Sequence, residues 1–77
     1  MSGTVVIEIH DCARRANTVA AIKYVRQRRE LGMAEAKHLI DEIYYGRRSI
    51  TLEFASETEA GEFVNDMELL GFSCRKC

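Results

Sequence analysis

Near the start of this 77-residue chain His10 and Cys12 stand as H-x-C, and at its end Cys74 and Cys77 stand as C-x-x-C. These are zinc-ligand types at zinc-ligand spacings. If the last strand returns antiparallel beside the first, however, Cys77 lies level with the beginning of the first strand, far from Cys12. Four ligands then fail to converge, and reduced thiols are expected rather than a metal site. No nucleophile and base stand in a recognisable local arrangement, and no glycine-rich phosphate loop is present. Neither a catalytic residue nor a cofactor is therefore expected, and His38, at helical spacing among polar residues, reads as solvated. Arginine pairs at 14–15, 28–29 and 47–48 are the residue type that holds phosphates. With a pI near 6.1 and no aromatic-basic RNA signature, nucleic acid is only a minor alternative as a partner.

The totals favour a binding module over an enzyme. Seventy-seven residues make one domain, 1–77, with one core and no cleft between domains. The composition, 47% hydrophobic and 30% charged without proline, is globular. No apolar run approaches the roughly 20 residues that span a bilayer, so no membrane association is expected. The opening MSGTVVIEIH has neither a cationic leader nor a long apolar stretch, and three cysteines are an odd number without a disulfide framework. A reducing cytoplasmic location fits both. The net charge of −1 hides a separation: nine basic against four acidic residues over 14–48, and two against six over 49–77. Such a dipole orients an approaching acidic partner.

The elements that must carry these residues follow from periodicity. Residues 4–10 alternate as a strand, with Val5, Ile7 and Ile9 on one face; DCARRA reads as a loop. Asn17 is a candidate N-cap for a helix running to about Leu31, where Gly32 supplies a left-handed stop. A second helix follows at once, burying Ala36, Leu39, Ile40 and Ile43 and stopping at Gly46, so the two form a tight hairpin. Residues 49–54 alternate as a second strand. Ser56 and Glu59 form a capping box for a third helix with core stripe Ala60, Phe63, Val64, Met67 and Leu70. Gly61 weakens that helix internally, Gly71 closes it, and FSCRKC is a short last strand. The order β-α-α-β-α-β predicts an α+β fold of two layers: a three-stranded sheet covered on one face by three helices. The first strand is expected in the middle, antiparallel to its two neighbours.

On a helical wheel with Thr18 at 0°, Ala21, Ile22 and Val25 make the core stripe, Ile22 at its edge about 40° round. Val19 and Ala20 fall on another side, next to Lys23 and Arg26. Small apolar residues fringed by long cations suit a docking surface, in which the apolar groups give desolvated contact and the cations steer and pair.

The string AN-x-VA-x-IK-x-VR, then LG-x-x-EAK-x-L after four residues, resembles the carboxy-terminal domain of the bacterial large-subunit ribosomal stalk protein. The matching positions are Ala16, Asn17, Val19, Ala20, Ile22, Lys23, Val25, Arg26, Leu31, Gly32, Glu35, Ala36, Lys37 and Leu39. The predicted element order also matches over residues 4–77. In that family the helical hairpin recruits translational GTPases. The resemblance implies a protein partner of that kind or another ribosome-associated factor, and a contact set of Val19, Ala20, Ile22, Lys23, Arg26 and Lys37. It makes Gly32 the residue that permits the close turn.

The stalk protein's dimerisation segment and flexible hinge are not represented here, so a stand-alone module is expected. Arg28, Arg29 and Glu30 replace usually small residues and are expected to alter partner choice. A bacterial adaptor that delivers substrates to a AAA+ protease is similar in fold and is the runner-up. Its acidic and amide pocket after the first strand is replaced here by HDCARRAN, whose arginines would repel an α-amino group.

Overall fold

The computed structural model of this chain describes residues 4–77. The first three residues, part of the opening read as lacking an export signal, lie outside the described residues. The elements are β1 (Val5–Cys12), α1 (Thr18–Arg29), α2 (Met33–Tyr44), β2 (Ile50–Phe54), α3 (Glu57–Leu69) and β3 (Phe72–Lys76). The sheet order is β2-β1-β3, with β1 antiparallel to both neighbours. The fold is α+β, as the periodicity predicts.

Register determines which face is buried. Val5, Ile7 and Ile9 pair with Phe54, Leu52 and Ile50, and this face lies under the helices. The opposite face carries Glu8 between Thr51 and Arg75, and the Arg75 Nε donates to Glu8 Oε1 at 2.7 Å. Above the sheet, Phe63 of α3 is fully buried, 4.8 Å from the ring centroid of Phe54 and 5.7 Å from that of Tyr24. Aromatic pairs at these separations add directional packing to the area they bury.

β1 is longer than alternation predicts. Asp11 and Cys12, read as loop, belong to the strand because the β1–β3 register slips between Ile9 and Asp11. Ile9 faces Cys74 while Asp11 faces Ser73, which leaves His10 as the extra residue of a bulge. The bulge turns Asp11 outward and Cys12 into the core, and the Asp11 carboxylate accepts the Cys12 N–H at 2.8 Å.

The hairpin turn also differs from expectation. α1 ends at Arg29, and the left-handed residue is Glu30 (φ 53°), not Gly32. The N–H groups of Glu30 and Leu31 both donate to the Arg26 carbonyl, so the chain doubles back early enough for Leu31 to pack on the core. Gly32 instead starts α2 as its N-cap in extended backbone (φ −71°, ψ 160°), where an added Cβ would meet nothing within 4 Å. It does not permit the close turn.

The other end of α1 is fastened by the α3–β3 turn. Asn17 Oδ1 accepts the Ala20 N–H at 3.1 Å, and its own N–H donates to the Leu70 carbonyl at 2.9 Å. Gly71 adopts φ +99°, and a Cβ there would lie 2.8 Å from the Ala16 Cα. Only glycine satisfies both conditions.

Candidate functional site on the first helix

α1 is held on two sides. Ala21 and Val25 are buried and Ile22 is half-buried, packed on the core. About 80° from the middle of that stripe, Tyr24 and Arg28 reach α3. The Tyr24 hydroxyl donates to Asp66 Oδ2 at 2.7 Å, and Arg28 Nη2 lies 2.8 Å from Glu62 Oε1. Burial, then the hydrogen bond to Asp66, push the Tyr24 phenol well above its ordinary value. It remains a neutral donor.

The remaining side holds the residues singled out by the wheel. Val19 is 63% exposed and Ala20, next to Tyr24 on the wheel, is half-buried. Lys23 and Arg26 are exposed, and among the described residues no carboxylate lies within 4 Å of either. Positions 19, 23 and 26 follow one another at i+4 and i+3, so they form a continuous strip about 10 Å long.

Other cations are already engaged. Lys37 Nζ, on α2, is 2.8 Å from Asp41 Oδ2, a one-turn exposed pair that raises the lysine pKa through its hydrogen bond. Arg28 is held by Glu62, and the Arg29 guanidinium lies 4.7 Å from the centroid of the Phe54 ring. Arg28 and Arg29 thus brace α1 against α3 and β2. Gly32 is exposed but carries no side chain to the strip.

Tyr24 and Asp66 are what sequence reasoning missed. The signal was present: Tyr24 and Arg28 are an i, i+4 pair on a helix whose apolar residues spread beyond one stripe. Their partners lie 42 and 34 residues away, and no local pattern names them.

The cysteines do not gather. Cys12 is buried at the end of β1, Cys74 faces Ile9, and the Cys77 N–H donates to the Val6 carbonyl at 3.0 Å. Among the described residues no three His, Cys, Asp or Glu side chains are placed to hold a metal. An open cleft of about 330 Å³ between α3 and β3 is lined by Val64, Asn65 and Cys74 among others. Burial pushes the Cys74 thiol up to about 11, so it is protonated at neutral pH and is a weak nucleophile. No described helix is long and apolar enough to cross a membrane. Searches against family models, curated proteins and solved structures return no match, so the likeness to the stalk domain rests on the residues quoted between 16 and 39.

Proposed function

We propose that this protein is a non-enzymatic interaction module that docks an acidic partner on the exposed strip of α1, a translational GTPase being the partner class that the stalk resemblance implies. The observation that carries the reading is an open valine in line with two cations that have no carboxylate within 4 Å among the described residues: Val19, Lys23 and Arg26. Most other basic side chains of the helical layer are engaged within the molecule, by Asp41, Glu62 or the Phe54 ring. Ala20 and Ile22 supply flanking apolar surface. Lys37 contributes only by exchanging Asp41 for a partner carboxylate, an exchange of exposed pairs that costs little. Three free cysteines accord with action in a reducing cytoplasm.

Stopped-flow binding to an elongation-factor GTPase tests the reading. Lys23→Glu/Arg26→Glu is expected to slow association roughly ten-fold at low salt, and Val19→Asp to speed dissociation by about ten-fold. Unchanged rates for both variants, or no binding by the parent, would reject it.

A further inference from the structure

Two loops that each carry an arginine pair lie side by side at one end of the molecule. The β1–α1 loop carries Arg14 and Arg15, and the α2–β2 loop carries Arg47 and Arg48. Two contacts tie each loop to the element that leads into the other: the hydroxyl of Tyr44, the last residue of α2, donates to the Arg14 carbonyl at 2.9 Å, and Arg47 Nη1 lies 3.9 Å from Oδ1 of Asp11 in β1. At the same junction Tyr45 is 73% exposed and stands edge-on to Tyr44, with ring centroids 4.8 Å apart. Arg47 itself holds a left-handed backbone (φ 56°), a conformation that costs about 1 kcal/mol in a non-glycine residue.

We propose that this end binds single-stranded RNA, the arginines taking backbone phosphates and Tyr45 stacking on a base. Guanidinium forks match phosphate oxygens, and an open tyrosine ring stacks on any base. Among the described residues no carboxylate lies within 4 Å of Arg14 or Arg15. Arg47 and Arg48 hold Asp11 and Glu42 only at 3.9 and 3.6 Å, exposed pairs that a phosphate readily replaces. Glu42 is shared with His38, 3.8 Å away. The third arginine pair, Arg28 and Arg29, is occupied elsewhere and does not belong to the site. The acidic overall pI reflects the excess of carboxylates over 49–77, mostly on α3, and not this end. No residue is shared with the strip of Val19, Lys23 and Arg26, so the proposal stands independently of the GTPase reading.

Fluorescence anisotropy of the full chain with a labelled 12-nucleotide oligouridylate tests it. If four phosphates are neutralised, the logarithm of the affinity should fall with the logarithm of salt at a slope of about −3. Arg14→Glu/Arg15→Glu should weaken binding and roughly halve that slope, whereas Tyr45→Ala should lose about ten-fold at unchanged slope. Lys23→Gln/Arg26→Gln should stay within about three-fold of the parent at 0.15 M salt. Each variant changes exposed side chains, and thermal melting confirms its fold. Absence of binding at low salt would overturn the proposal. So would equal binding of a polyglutamate peptide with no effect of Tyr45→Ala, or a loss caused by the Lys23/Arg26 variant alone.

Discussion

At the residue scale, α1 separates into side chains spent inside the molecule and side chains left over. Tyr24 illustrates the first class, because its ring stacks on Phe63 while its hydroxyl holds Asp66. Tyr24→Phe is expected to cost about 1 kcal/mol, the usual net worth of one hydrogen bond, and to lower the melting temperature by roughly 4–8 °C. Calorimetry on the two proteins checks it, and no change would remove the proposed brace between α1 and α3. Val19, Lys23 and Arg26 form the second class. That division was partly legible: wheel angles separate Val19 from the stripe of Ala21 and Val25. The engagement of Arg28 and Arg29 was not, since their partners, Glu62 and the Phe54 ring, lie on elements distant in sequence, whereas the Lys37–Asp41 pair is a local i, i+4 pattern.

At the element scale, caps and turns decide where each helix stops. Asn17 and Ser56 were readable as N-caps because their side-chain oxygens need only a backbone N–H three residues on, a local condition. The α1–α2 turn was misread for a related reason. Glycine is the usual left-handed residue, but burying Leu31 requires the reversal two positions earlier, at Glu30, and that requirement is tertiary. Glu30→Gly is accordingly expected to stabilise the fold by about 1 kcal/mol, whereas Gly32→Ala should stay within about 0.5 kcal/mol of the parent. Gly71→Ala should cost roughly 2 kcal/mol, combining a strained positive φ with a collision against Ala16. Denaturant titration of the three variants measures these values. A costly Gly32→Ala with a neutral Glu30→Gly would restore the hairpin to its glycine. The bulge in β1 escaped periodicity altogether, because strict alternation sends Asp11 to the core face and only the register with β3 reverses it.

At the scale of the whole molecule, one sheet face is packed and the other is a charged surface tied by Glu8 and Arg75. Hydrogen bonding to Arg75, then to Ser49, lowers the Glu8 pKa below its ordinary 4.5. A depressed carboxyl stabilises the fold above its unfolded pKa, and the contribution fades as pH falls through the folded value. Stability should therefore decline below about pH 4.5, and Glu8→Gln should flatten that acid limb while leaving the alkaline side unchanged. A pH series of urea midpoints would show it, and identical acid limbs would refute the assignment. The helices cover the packed face, and α1 carries its leftover strip outward from the same layer, 37 Å being the longest dimension of the molecule. The central claim is that partners dock on that strip. Its most direct test is an NMR titration of the isotopically labelled chain with an unlabelled elongation-factor GTPase. The amides of Val19, Lys23 and Arg26 should shift or broaden first and most, while those of β3 and the outer face of α3 stay in place. Perturbations centred on β3 or α3, or none at saturating partner, would contradict the account.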